Sequence, residues 1–343
     1  MADHLGELFG TVVGDVRIRY VDYVPAAALT VQYDALLGEP GSPIVEAFAT
    51  MDGHSWTLHS EDAALPLLSA SQSQLTDARG LHSTELPIIR LAWIPQRRAV
   101  LRCGDVVVKL YSDEVEMSRA EWALRALGDK LPTARFIGSH REHRALVQQA
   151  LPGQPLERTD ASTCAASAAA VLRQLHSLNL TGLPDLGPAR LLASVDRPAA
   201  LAAFAVPQLR TRISKLLATL AASMPETANL VPVHGDFNVG QLLMHCRQIC
   251  VVDTDTLAEG SSSVDLAAFA ANLHNGRQDD GQDVRTVLAE LIRAYGRTPP
   301  DLTWHLAVTM MRRVDRPIRR LKKRWPERTT AIVTAIEALV HQA

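Results

Sequence analysis

Four cysteines in 343 residues are too few for a disulfide framework. The chain also has no uninterrupted apolar run near the ~20 residues that a membrane-spanning helix needs. Its start, Met1-Ala2-Asp3-His4-Leu5-Gly6-Glu7, is acidic where a signal peptide is basic and then apolar. These absences set the expectation of a cytoplasmic protein with no membrane partner. Net charge is equally scarce, at −2 with a pI of about 6.6, so no global field recruits nucleic acid or an anionic membrane. A G-x-G-x-x-G phosphate loop is missing too. Cys246 and Cys250 stand in C-x3-C spacing beside His245, but without a second ligand pair they read as hairpin and strand residues, not a zinc site.

What is present is an ordinary globular composition, 47% hydrophobic with a mean hydropathy of +0.01, and length enough for two compact cores. Strand-like alternation dominates the first half, as in Asp15–Tyr20, Ala28–Tyr33 and Ala99–Arg102, and helical spacing dominates the second. That order predicts an α+β fold with a β-rich lobe followed by a helical one. The segments 16–33 and 87–102 each read as strand, Pro-containing turn, strand, which suggests a repeated hairpin. Residues 37–85 have weak periodicity and no assigned role.

The chemistry concentrates in His234-Gly235-Asp236-Phe237-Asn238-Val239-Gly240-Gln241-Leu242-Leu243, followed by Val251-Val252-Asp253-Thr254-Asp255. An apolar segment, a polar loop with one acid and one amide, and a second apolar segment ending in two acids suit a metal-phosphate site. Phosphoryl transfer needs a carboxylate to orient and deprotonate the attacking hydroxyl and Mg²⁺ against the nucleotide phosphates. Asp236 fits the first role. Gln241 and Asp253, as hard oxygen ligands, fit the second, with Asp255 beside them. Upstream, Lys109 sits inside the apolar strand Val106–Tyr111, where an ammonium needs an acid or a phosphate as partner.

The catalytic segment resembles that of the aminoglycoside phosphotransferase and choline kinase-like family, whose pattern is His-x-Asp, four residues, Asn, and a later acidic pair. His234, Asp236, Asp253 and Asp255 match it, whereas Gln241 stands where the family has Asn. The resemblance implies a bilobal protein kinase-like fold, with residues 1–149 as the β-rich nucleotide lobe, 1–85 being an extension of uncertain role, and 150–343 as the helical catalytic and acceptor lobe. It further implies ATP or GTP as donor, and Lys109 paired with Glu121 on the following helix; Glu116 is the competing partner. Gln149 and Leu151 fall where the hinge meets the nucleobase. Arg98, in the turn Ile94–Ala99 that resembles a Pro-Gly-Arg-Arg turn with Gln96 in place of glycine, is a phosphate-contact candidate. Asp265 resembles the buried acid that braces the catalytic loop, His234 supports that loop, and His176 reads as structural.

The expected activity is Mg²⁺-dependent transfer of a nucleotide γ-phosphate to a hydroxyl of a small molecule, by a monomer or homodimer. The acceptor is an aminoglycoside or other antibiotic, a sugar or amino sugar, or a choline-like alcohol. A cationic acceptor would call for an acidic rim, for which Glu259, Asp279, Asp280 and Asp283 are candidates; the basic run Met311–Trp325 favours a neutral or anionic one. That run reads mainly as a solvated helix face interrupted by Pro317, not as a nucleic-acid groove reader. The alternative reading is a catalytically weak nucleotide-binding pseudokinase, and another makes the first 85 residues a regulatory module.

Overall fold

The computed structural model describes residues 2–24, 28–38, 44–52, 55–68, 88–156, 161–226, 229–245, 248–276 and 284–341. Helix α1 (Ala2–Phe9) precedes a four-stranded meander of β1 (Val13–Val24), β2 (Ala28–Leu37), β3 (Ile44–Asp52) and β4 (Ser55–His59). A second sheet follows, formed by β5 (Ile88–Ile94), β6 (Arg98–Cys103), β7 (Val106–Tyr111), β8 (Phe136–His140) and β9 (Ala145–Gln149) in the order β5-β6-β7-β9-β8. The two hairpins anticipated in the sequence, β1–β2 and β5–β6, are both antiparallel and belong to different sheets.

Helix α2 (Glu114–Leu127) separates β7 from β8. Asp113 starts it by accepting the Val115 N–H at 2.6 Å, and Gly128 stops it at φ +42°, a backbone angle that suits glycine. This start puts Glu121 in the middle of the helix.

Beyond β10 (Gln154–Pro155) the chain is mainly helical. Helices α3 (Ala161–His176), α4 (Pro188–Ala193), α5 (Asp196–Ala205) and α6 (Arg210–Ala222) come first. The short strands β11 (Val231–Val233), β12 (Leu242–His245), β13 (Gln248–Val251) and β14 (Ala258–Gly260) follow, and α7 (Ser263–Gly276), α8 (Val284–Tyr295), α9 (Leu302–Met311), α10 (Arg316–Arg319) and α11 (Trp325–Val340) complete the chain. The stripe Ala168, Val171, Leu172 and Leu175 of α3 is buried in a core that also holds Phe237, Phe269, Leu291 and Met310. No helix among the described residues is long and apolar enough to cross a membrane.

The first 59 residues are built into the molecule on two sides. Phe48 of β3 meets Trp93 of β5 edge-on, with ring centroids 5.6 Å apart, in one core with Leu65, Leu67, Leu101 and Val108. On the other side β1 rests on the helical part: Tyr23 packs on Phe204 of α5 at 5.3 Å, and Asp22 takes ion pairs from Arg197 and, at 3.3 Å, Arg319.

Candidate active site

Strands β11 and β14 pair, and the loop that leaves β11 carries His234, Gly235 and Asp236. Gly235 has φ +84°, and a Cβ there would lie 2.7 Å from the Thr256 carbonyl oxygen, so the turn requires glycine. Asp265, fully buried in the first turn of α7, receives the backbone N–H groups of His234 (2.8 Å) and Gly235 (2.9 Å). Its carboxylate also meets His176 Nε2 at 3.1 Å, and His176 Nδ1 meets the Tyr295 hydroxyl at 2.9 Å. The His234 carbonyl accepts from Thr256 Oγ1 at 2.7 Å, and its ring Nε2 meets the Val252 carbonyl at 3.2 Å. A loop held at both backbone and ring leaves Asp236 as its free end, 52% exposed, with Oδ1 accepting from Arg313 Nη2 at 2.9 Å.

Lys109 lies on the central strand β7, buried, and its Nζ donates to Asp253 Oδ1 (2.9 Å) and Asp255 Oδ1 (2.5 Å). The Tyr111 hydroxyl donates to Asp255 Oδ2 at 2.6 Å, and Arg98 Nη2 stands 3.9 Å from Asp253 Oδ2. Asp253 sits at φ +61°, in the left-handed region that aspartate enters more readily than most residues. Burial works to raise its pKa, but Lys109 and Arg98 outweigh it and hold the carboxyl down to about 2. Burial and the Asp255 carboxylate push the Tyr111 phenol well up, so Tyr111 stays a hydrogen-bond donor.

The expected pairing of Lys109 with Glu121 is not formed. Glu121 bonds instead to Arg125 Nε at 3.0 Å, one turn along its own helix, and Glu116 faces Arg97 at 3.9 Å. The two aspartates, 144 and 146 residues downstream, take the ammonium because both reach one buried Nζ together.

Gln241 ends a short 3-10 turn, buried, with Oε1 accepting the Asn238 N–H at 3.1 Å while Asn238 Oδ1 accepts the Gly240 N–H at 3.0 Å. A carbonyl oxygen has two lone pairs, so this bond leaves one. The Gln241 backbone carbonyl accepts the Val252 N–H at 3.0 Å, which ties Gln241 to the strand that delivers Asp253. Hard oxygens from an ionised carboxylate and an amide are a donor set that fits Mg²⁺. At the end of β9, the Gln149 and Ala150 N–H groups are held by the Arg135 and Asp105 carbonyls, and Leu151 packs beside Tyr111 and Met117. Cys246, Asp279, Asp280 and Asp283 lie outside the described residues; Cys250 is buried on β13, and no group of three His, Cys, Asp or Glu among the described residues is arranged to hold a metal.

Beside Asp236 opens a cavity of about 270 Å³ that sequence reasoning missed. Tyr20 of β1, Asn238, Asn272 of α7 and, from the basic run, Arg312, Arg313, Asp315, Arg316, Arg319 and Arg320 line it, whereas Glu259, on β14, does not. The overlooked signal is the spacing within the basic run: Met311, Val314 and Pro317 are buried at every third position, which turns the intervening arginines to one side.

An α+β body with an antiparallel sheet before a helical part, and the loop acid between them, is a kinase-like fold. The choline/ethanolamine kinase family protein of Mesorhizobium loti aligns with 79% of this chain and 98% of its own at a TM-score of 0.56 and 15% identity. An aminoglycoside phosphotransferase of Streptomyces rimosus covers 74% of this chain and 99% of its own, at 0.55 and 18%. A thermostable mutant of another aminoglycoside phosphotransferase, in ternary complex with ADP and hygromycin B, covers 80% and 98%, at 0.57 and 12%. No curated protein matches the chain by sequence. The model of the phosphotransferase enzyme family matches residues 85–307, more than half of the chain, and the protein belongs to that family.

Proposed function

We propose that the protein is a small-molecule kinase that moves the γ-phosphate of ATP or GTP to a hydroxyl of a compact acceptor. The observation that carries this reading is the juxtaposition of an outward-facing Asp236, on a loop braced by Asp265, with the Lys109–Asp253–Asp255 constellation. Asp236 accepts the proton of the acceptor hydroxyl as its oxygen bonds to the γ-phosphorus; the bond to the β,γ-bridging oxygen breaks, and the nucleoside diphosphate leaves with that electron pair. Asp253 and the Gln241 amide oxygen, with Asp255 in support, would hold Mg²⁺, which when bound supplies charge neutralisation at the phosphates. Lys109 and Arg98 orient the donor phosphates, and Leu151 begins the segment that meets the nucleobase. The nucleotide lobe ends near residue 150, and the protein works in the cytoplasm.

An intact donor-side constellation supports catalysis over a decayed, nucleotide-binding relic. The deciding experiment is nucleoside diphosphate release with Mg²⁺ across hydroxylated acceptors, with nucleotide binding measured in parallel. Asp236→Asn is expected to lower turnover by about 10²–10⁴ while nucleotide binding persists, as loss of a general base does. Near-full turnover in that variant removes Asp236 from the role.

A further inference from the structure

The following inference rests on the phosphotransferase reading and concerns its acceptor. Five arginines, Arg312, Arg313, Arg316, Arg319 and Arg320, line the cavity beside Asp236, against only two carboxylates, Asp236 and Asp315. Arg313 gives Nη2 to Asp236, but its Nη1 is buried and has no partner. Arg319 Nε is in the same condition, while its Nη1 and Nη2 face Asp315 (3.7 Å) and Asp22 (3.3 Å). On the same wall Asn272, only 4% exposed, has its Oδ1 buried and unpartnered. A buried polar group left unmet costs about 1–3 kcal/mol, more when charged, and three on residues that line one cavity mark a wall whose hydrogen bonding the protein itself does not complete.

The chemistry of an occupant follows from the donors. Guanidinium forks match carboxylate and phosphate oxygens bidentately, and an excess of positive charge repels an ammonium-bearing molecule. We propose that the acceptor is an anionic hydroxyl compound, a small molecule whose carboxylate or phosphate sits among the arginines that line the cavity while one of its hydroxyls reaches Asp236. At about 270 Å³ the cavity lies just below the range of drug-sized pockets, which suits one sugar-sized acceptor.

The parts that make this choice lie outside the family match of 85–307: Tyr20 before it and the whole arginine segment after it. The N-terminal sheet positions them. The Arg319 guanidinium lies 4.9 Å from the Tyr20 ring centroid and 3.3 Å from Asp22, both on β1. The first strand therefore acts as a wall of the acceptor site.

The test is calorimetric titration of the full-length protein with D-glucose, D-glucosamine, D-glucuronate and D-glucose 6-phosphate, with ADP and Mg²⁺ present throughout to occupy the donor side. At least one acid is expected to bind roughly tenfold or more tightly than glucose and glucosamine. The preference should shrink at about 0.5 M salt, and also in an Arg316→Gln/Arg320→Gln variant whose Tm shows it folded. Equal binding of acid and neutral sugar, tighter binding of glucosamine, or no acid binding above glucose overturns the inference. Phosphoryl transfer is read separately. Acid-selective binding without transfer to any sugar counts against the kinase reading and leaves the anion site standing; transfer without acid preference does the reverse.

Discussion

On the proposed phosphotransferase reading, the two sides of Asp236, donor and acceptor, treat charge in opposite ways. On the donor side, Lys109, Arg98, Asp253 and Asp255 lie within 3.9 Å of an opposite charge, and the Tyr111 hydroxyl completes the set. On the acceptor side arginines outnumber carboxylates, and although Arg313 and Arg319 reach Asp236, Asp22 and Asp315, Arg313 Nη1 and Arg319 Nε are buried without a partner. Two aspartates record the contrast. Asp253 is held down to about 2 because its cations outweigh the cost of burial, whereas burial pushes Asp315 up to about 6. A closed network suits a ligand whose phosphates and metal are the same in every cycle; an open, positive one suits selection among acceptors.

The comparison breaks most visibly at Lys109. Lys109→Met leaves Asp253 and Asp255 together without their shared cation and is expected to cost about 3–5 kcal/mol in urea unfolding at neutral pH, the scale for removing one partner of a buried pair. Arg320→Gln, on the exposed rim of the other side, is expected to stay within about 0.5 kcal/mol. Similar losses in both variants would erase the distinction between a saturated donor side and an open acceptor side.

The pH dependence of stability separates the same two sides. For Asp253 the folded pKa lies below the ordinary value of about 4, so its stabilisation is complete above pH ~4 and is lost as pH falls toward 2. For Asp315 the sign reverses. Its contribution is fullest below pH ~4 and is lost as pH rises through 6, because the folded site disfavours the charged form. Asp315→Asn is therefore expected to raise stability at pH 8 by up to about 3 kcal/mol, at 1.4 kcal/mol per pKa unit, with little gain at pH 4. A variant no more stable than the parent at pH 8 would show that solvation or the ion pair of Asp315 with Arg319, 3.7 Å in the structure, offsets its burial.

The proposed donor side was the easier one to read from sequence because its signals are local. His234, Asp236 and Gln241 fall in the loop before one hairpin and Asp253 and Asp255 just after it, and the apolar strand around Lys109 announced a buried ammonium. Its partner was misassigned for a physical reason. Glu121, on the next helix, is near in sequence, but strand β7 and the Asp253 turn converge only after the sheet packs on the helical part, a contact no spacing reveals. The acceptor cavity was illegible for the same reason on a larger scale. Tyr20 and Arg319 meet across almost the whole chain, and a run of arginines looks the same in a cavity wall and on a solvated face.

Two smaller effects refine the donor side. In the β5–β6 turn, Gln96 takes φ +60° and gives its N–H to Asp62 Oδ2 at 2.7 Å. Left-handed backbone costs a side-chain-bearing residue about 1–2 kcal/mol, and glycine returns part of that as unfolded-chain entropy. Gln96→Gly is thus expected to gain about 0.5–1 kcal/mol, read as a higher urea midpoint at unchanged slope; a loss would mean that the glutamine side chain itself holds the turn. The smallest effect belongs to Glu121. Its charge is met by Arg125 at i+4, a pair worth about 0.3–0.5 kcal/mol, while Lys109 gives its hydrogen bonds to Asp253 and Asp255. Glu121→Gln should therefore leave nucleotide affinity within about twofold, while Lys109→Met abolishes the phosphate contact. A tenfold weaker nucleotide in Glu121→Gln would mean that nucleotide draws Lys109 off the two aspartates and onto the helix, so that the donor side is closed only until its ligand arrives.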